Sequence, residues 1–219
     1  GGGVNICYYS AATLRGNTIV SNTATLSPTA SGQGGGLRVW LSDSFILTNN
    51  LLADNHANTQ GSGLYFQGSS TYPTSGRLLH TTIAHNRSSG QGVYVGEYTS
   101  LVFTNTIIAG HLSVGITVTT GSTVALEATL WYNNGSDTGG EGYISTGTVN
   151  VYDDPAFVAP SAWDYHLTAG SAAIDAGVDV GVTTDIDGDP RPIGPKPDIG
   201  ADEYAVHVYL PLVLRGYAP

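Results

Sequence analysis

Methionine is absent, cysteine and lysine occur once each (Cys7 and Lys196), and no apolar run approaches the ~20 residues that a membrane-spanning helix needs. One cysteine excludes an intramolecular disulfide framework and a Cys-rich metal site. The expected place for Cys7 is a small core position, with a free or intermolecular thiol as the alternative. Basic residues are few: seven against seventeen acidic ones, for a net charge of −10. Such a chain repels phosphate backbones and anionic bilayers, so nucleic acid is excluded as a partner. No signal peptide precedes Gly1, so an export signal is expected to have been removed or to lie outside this chain.

What is plentiful is glycine (30 residues), tyrosine (13), threonine, serine, valine and asparagine. This composition favours β-structure with many turns. With 41% hydrophobic and 11% charged residues, the chain buries a core instead of staying solvated coil.

Self-similarity fixes the expected fold. Thr18-Ile19-Val20-Ser21-Asn22 resembles Leu51-Leu52-Ala53-Asp54-Asn55, Thr82-Ile83-Ala84-His85-Asn86, Thr106-Ile107-Ile108-Ala109-Gly110 and Thr129-Leu130-Trp131-Tyr132-Asn133, with starts 33, 31, 24 and 23 residues apart. A glycine-led segment precedes each: Gly3-Val4, Gly36-Leu37, Gly63-Leu64, Gly92-Val93 and Gly115-Ile116. Aligned on these landmarks, Ile19, Leu52, Ile83, Ile107 and Leu130 form one apolar column, and Leu14, Leu47, Leu78, Val102 and Ala125 a second. Val4, Leu37, Leu64, Val93 and Ile116 form a third. Three columns per unit imply three short strands per turn around a shared interior: an all-β, right-handed parallel β-helix of about five coils. Asn22, Asn55, Asn86 and Asn133 are expected to form a ladder at one corner, with Gly110 as its exception. Extra length collects after that corner, in 23–33, 56–62 and 87–91, and at 67–76, which predicts a loop-covered edge.

The repeat ends near residue 150. The run "DPAF…DYHLTAGSAAIDAG…TDIDGDPRP…DIGADEY" over residues 152–204 resembles the choice-of-anchor-type module that follows β-helix repeats in many secreted bacterial proteins. The coils resemble the pectate-lyase-like superfamily more loosely. The resemblance implies export and a cell-surface or extracellular place, and no single activity. The expected organisation is repeats over 1–150, an irregular capping or anchor module over 151–205, and a terminal strand or tail over 206–219. The module is expected to cover the last coil, whose strand edges and apolar side chains need a polar lid. The tail reads three ways: as a sorting or anchoring tail, which the resemblance implies, as an edge strand added to another subunit, or as a strand folded back on its own coil.

Asp185, Asp187 and Asp189 alternate around Gly188 and offer carboxylates to calcium; the competing reading is turn-capping carboxylates bonded to amides and to Arg191. A lyase would need an acidic cluster beside a base, and Arg15, Arg38, Arg77 and Arg87 have only the isolated Asp43 and Asp54 near them in sequence. A hydrolase would need paired carboxylates, and Asp153-Asp154 point to opposite faces of any strand. The six histidines show no metal-ligand spacing, and His80 and His85, near one coil corner, are expected at the surface. Tyr8, Tyr9, Trp40 and Tyr65 offer stacking faces for sugar rings, or flank the core. Asn86-Arg87-Ser88 and Asn134-Gly135-Ser136 match the glycosylation pattern.

Gly1, Gly2, Gly3 and Val4 open directly on the coil landmark, which predicts a helix cut from a longer one or an end covered by another subunit. With Val206, Val208, Leu210, Leu212 and Leu214 in the tail, these residues are the expected assembly surface for head-to-tail stacking. The functional expectation is therefore a non-catalytic extracellular structural or surface protein that self-assembles into a filament or adhesin-like stalk. The rival is the C-terminal part of a glycan-binding or glycan-degrading β-helix.

Overall fold

A computed structural model describes residues 1–25, 31–87 and 91–206. The chain winds as six successive turns of short strands. The first three comprise β1 (Val4–Cys7), β2 (Ala11–Arg15) and β3 (Thr18–Val20); β4 (Leu37–Trp40), β5 (Ser44–Thr48) and β6 (Leu51–Ala53); and β7 (Leu64–Gln67) with β8 (Thr74–Ala84). Then follow β9 (Val93–Val95) with β10 (Thr99–Ala109), β11 (Val114–Val118) with β12 (Thr123–Tyr132), and β13 (Ser136–Gly139), β14 (Tyr143–Thr146) and β15 (Asn150–Val151). Every strand pairs in parallel with its counterparts one turn away, in one sheet ordered β1-β4-β7-β9-β11-β13 and another ordered β14-β12-β10-β8-β5-β2. The sequence predicted about five coils. The sixth is short and glycine-rich, and its strands carry no fully buried residue.

Alternation along each strand fills the interior. Val4, Leu37, Leu64, Val93 and Ile116 stand in one row, as the glycine landmarks predicted. The other two columns need a one-residue correction in the fourth and fifth coils. Ile19, Leu52 and Ile83 are continued by Ile108 and Trp131, whereas Ile107 and Leu130 align with Thr82 and Leu51 on the outer face. Likewise Leu14, Leu47 and Leu78 are continued by Phe103 and Leu126; Val102 faces outward and is exposed. From the glycine landmark to the inward residue the spacing is 15 in the first, second, fourth and fifth coils (Val4 to Ile19, Leu37 to Leu52, Val93 to Ile108, Ile116 to Trp131); the columns drawn through Ile107 and Leu130 fall one short, and a one-residue slip turns every side chain over.

The same slip moves the ladder. Its members are Asn22, Asn55, Asn86, His111 and Asn134. Asn22 N–H donates to Asn55 Oδ1 (2.9 Å), Asn55 N–H to Asn86 Oδ1 (3.0 Å) and His111 N–H to Asn134 Oδ1 (3.1 Å). Each Asn also donates to a core-strand carbonyl, as Asn55 Nδ2 does to Ile19 O (2.8 Å). Gly110 and Asn133 occupy the preceding position, which turns the corner with positive φ in each of the first five coils: Ser21, Asp54, His85, Gly110 and Asn133. Asn86 is buried and Asn134 is bonded within the ladder, so neither glycosylation motif presents a free amide. Cys7 also departs from expectation: it is half-buried on the outer face of β1, next to Asn5, while Ile6 points inward.

Residues 152–206 do not lie over the last coil as expected. They run lengthwise along the flank formed by β3, β6 and the second halves of β8, β10 and β12. That flank is apolar on its outside: Leu51, Ile107 and Leu130 stand in one row, and Ala53, Ala84 and Ala109 in the next. Phe157, Tyr165, Leu167, Ala173 and Ile199 cover it. Polar contacts recur along the helix: Arg15 Nη2 donates to Thr184 Oγ1 (2.9 Å), Asn49 Nδ2 to Thr184 O (2.6 Å), and Gly200 N–H to Asn105 O (3.0 Å). Gly200 has φ +107°, and a Cβ there would stand 2.7 Å from Ile107 Cδ1, so only glycine allows this approach. Val206 is exposed; Val208, Leu210, Leu212 and Leu214 lie outside the described residues.

Candidate functional site

The flanking segment concentrates the protein's ionisable side chains. It is organised by carboxylates that accept backbone amides. Asp185 Oδ1 accepts the N–H groups of Asp187, Gly188 and Asp189 (2.9, 2.9 and 2.8 Å), and its Oδ2 that of Glu203 (3.0 Å). Asp185 is thus the centre of a tight turn. That turn carries Asp187 outward to His166. The Arg191 guanidinium is buried and donates to the carbonyls of Asp198 (2.8 Å) and Ala201 (3.1 Å), beside Glu203 (3.4 Å) and His80. Burial together with the Arg191 charge pulls His80 down to about 3, so it is a neutral interior residue and not the surface residue expected. His111 is buried too, and burial lowers it to about 4.

A second group assembles where β17 (Asp164–Leu167), antiparallel to β16 (Phe157–Ala159), crosses the flank. Alternation points Tyr165 and Leu167 at the coils and Asp164 and His166 away from them. Tyr165 donates to Asp54 Oδ2 (2.8 Å) and lies 3.0 Å from His85 Nδ1, locking β17 to the ladder corner. His166 is held at both nitrogens, Nδ1 by Asp164 Oδ1 (2.6 Å) and Nε2 by Asp187 Oδ2 (2.8 Å). Burial opposes its charge, yet these carboxylates raise it to about 9, so it is an imidazolium at neutral pH. Asp202 completes the group: burial pushes it up to about 6, against the amide of Leu167, which donates to its Oδ2 (2.7 Å). His166, Asp187 and Asp202 bring one donor atom each within 4.8 Å of one another. They stand at the rim of a recess of about 180 Å³ between coils and flank, beside the half-exposed Trp163.

Sequence reasoning placed Asp187 in a cation site and missed His166, Asp164 and Asp202. The signal was available in Asp164-Tyr165-His166, since a period of two puts the acid and the imidazole on one face of a strand.

The coils present a different surface. At the corner that follows β1, β4, β7 and β9 stand the exposed Tyr8, Tyr9, Tyr72 and Tyr98 and the half-buried Trp40. Tyr8 meets Trp40 edge-on (centroids 4.9 Å apart) and Tyr9 meets Tyr72 (4.4 Å). Tyr65, expected with them, is buried and stacks on Tyr94 at 5.4 Å, with Arg38 over its other side.

Parallel in-register coils, an apolar interior and an asparagine ladder define a β-helix solenoid. The family model described as "right handed beta helix region" matches residues 1–151, and the chain belongs to that family. No curated protein and no solved structure matches it.

Proposed function

We propose that the chain is a non-catalytic extracellular surface protein whose coils form a rigid scaffold and whose aromatic corner binds glycans. One observation carries this reading: Tyr8, Tyr9, Tyr72 and Tyr98 are solvent-exposed along a single corner. Solvent normally collects charged side chains at such edges, and rigid tyrosines with a polar tip suit the C–H faces and hydroxyls of sugar rings. The non-catalytic part is supported by how three of the six coil carboxylates are engaged. Asp54 binds Tyr165 and Arg87, Glu127 accepts the amides of Thr148 and Val149, and Asp137 accepts from Asn134. The resemblance of residues 152–204 to an exported module supports the location.

Affinity electrophoresis in gels cast with neutral and uronic-acid polysaccharides tests the reading. Retardation that falls at least tenfold in Tyr8→Ala and Tyr72→Ala is expected, without any release of reducing ends or unsaturated sugars. No retardation in any gel, or turnover of a retained polysaccharide, overturns it. Head-to-tail self-assembly is a further proposal, and negative-stain electron microscopy of the same samples checks it: fibres of fixed width support it, discrete particles at all concentrations refute it.

A further inference from the structure

We propose that Tyr9 and Tyr72 are a site of oxidative coupling, at which a peroxide-driven haem peroxidase joins the two rings through their ortho carbons and staples the first coil to the loop of the third. The proposal goes beyond the glycan reading and does not depend on it, since it concerns one ring contact and needs no bound sugar.

Backbone structure places both residues. Tyr9 has φ 61° and follows Tyr8 at φ 54°, a left-handed pair that bulky residues adopt only at a cost. Its N–H donates to Leu41 O (2.8 Å). Tyr72 belongs to the extra loop between β7 and β8, where Ser69 N–H donates to Tyr72 O (2.9 Å) and Tyr72 N–H to Ser69 Oγ (3.1 Å). This loop reaches back past the second coil, and the two rings meet with centroids 4.4 Å apart and planes at 61°. That separation is at the near limit of aromatic pairs, about 4.5–7 Å. Interaction with the Tyr72 hydroxyl holds the Tyr9 phenol up at about 12, so the phenol ends of the rings meet, and the carbons beside the two hydroxyls meet with them. The side chains are 56% and 44% exposed, within reach of an oxidant. Among the described residues one other tyrosine pair is in ring contact, Tyr65 with Tyr94; those rings lie flat on each other at 5.4 Å and 6°, and Tyr65 is buried. Methionine, a common sink for oxidants, is absent.

The reaction balances with one peroxide. Each phenol gives up one electron and its hydroxyl proton, and the resulting phenoxyl radicals carry spin on the carbons ortho to oxygen. A carbon–carbon bond forms between one ortho carbon of each ring. The hydrogens on those carbons then move to the oxygens, so both phenols are restored and the pair has lost two hydrogen atoms. Hydrogen peroxide takes up the two electrons and two protons and leaves as two waters. The link joins residues 63 apart in sequence and restrains the unfolded chain as a disulfide does, in a protein whose single cysteine allows no internal disulfide.

Treatment of the dilute full chain with a haem peroxidase and limiting hydrogen peroxide tests the proposal. The monomer recovered by gel filtration is expected to be lighter by two hydrogen atoms, to show dityrosine fluorescence, and to yield one linked peptide pair that contains Tyr9 and Tyr72. Tyr9→Phe and Tyr72→Phe keep the exposed rings without the hydroxyl, and each is expected to lower the fluorescence of the monomer at least tenfold. Tyr98→Phe, at an exposed tyrosine of the same corner, leaves it unchanged. The linked monomer is expected to melt about 5–10 °C above the untreated chain. No dityrosine in the monomer, a yield that survives either substitution, a link between other tyrosines, or an unchanged melting temperature overturns the proposal.

Discussion

Replacing Asn55 by alanine tests the ladder and its register together. Asn55 is fully buried and its amide makes four bonds. Oδ1 accepts the N–H and the Nδ2 of Asn22 (2.9 and 3.0 Å), and Nδ2 donates to Ile19 O (2.8 Å) and Asn86 Oδ1 (3.0 Å). Alanine leaves the Asn22 amide N–H without an acceptor, at about 1 kcal/mol, and removes three further bonds at about 0.7 kcal/mol each, so the loss is roughly 3 kcal/mol. For a domain of this size that lowers the melting temperature by about 6–12 °C in scanning calorimetry. Asn133→Gly is the control. Asn133 is exposed, has φ 49° and stands one position before the ladder, so glycine fits its backbone and the change stays within about 0.5 kcal/mol. If the ladder ran through Asn133, as the sequence spacing suggests, this substitution would cost as much as Asn55→Ala. Equal losses in the two variants, or none in Asn55→Ala, refute the register.

Further outcomes follow from the same packing. Gly76 lies between Phe45 and Leu101 in an inward row, and a Cβ there would meet the Phe45 ring at 2.4 Å; Gly76→Ala therefore costs about 1–3 kcal/mol by urea denaturation, and Phe45→Leu in the same chain recovers part of it, whereas additive losses contradict the contact. Arg191→Met leaves the side chain of Glu203, which is 1% exposed, without its cation; a loss of about 3–5 kcal/mol is expected, seen as faster proteolysis within residues 152–206, and an unchanged cleavage pattern argues against the network. Burial holds His111 at about 4 in the fold against 6.5 in the unfolded chain, so the stability from its neutral form is present above pH 6.5 and lost as pH falls toward 4. His111→Asn restores an asparagine to the ladder and removes this contribution, so its melting temperature falls less between pH 7 and 4.5 than that of the wild type; parallel pH profiles contradict the assignment.

The fold was legible because a solenoid repeats its demands. The glycine-led landmarks located one row correctly over five coils, since glycines that abut backbone of the next turn tolerate no side chain. Gly36, for example, would place a Cβ 2.8 Å from Gly63 O. The apolar columns slipped by one residue in the fourth and fifth coils for a physical reason. There the outer face of the third strand is apolar too, so Thr106-Ile107-Ile108-Ala109 and Thr129-Leu130-Trp131 offer two adjacent hydrophobic residues, and pattern alone does not say which points inward. The Asn landmark misled in the same direction, because His111 substitutes for it in one coil and Asn133 and Asn134 compete for it in the next. The chemistry was less legible. Asp187 stands out by alternation, but its partners His166 and Asp202 lie 21 residues before and 15 after it, joined only by the path of the chain over the flank.

That ambiguity in the coils was itself the sign of where the C-terminal segment goes. A β-helix strand needs one apolar face, the inner one. When the outer face carries Leu51, Ile107 and Leu130 together with Ala53, Ala84 and Ala109, the side of the solenoid requires a cover that its end does not. The small alanines let Tyr165 and Phe157 approach the backbone, and the larger residues fill the space under Leu167, Ala173 and Ile199. A segment matched only to the terminal coil would contact β12 and β14 and leave β3 bare. This one is bonded to Arg15 in the first coil and packed on Leu130 in the fifth, so it braces the stack lengthwise. Its many buried carboxylates follow from that task. An irregular strap has few backbone partners of its own, and Asp185, Asp198, Asp202 and Glu203 accept the amides that no strand satisfies. The segment's acidic motif is thus first a device for folding a strap. The group at His166 arises where two of the segment's carboxylates, Asp164 and Asp187, turn outward and meet one imidazole.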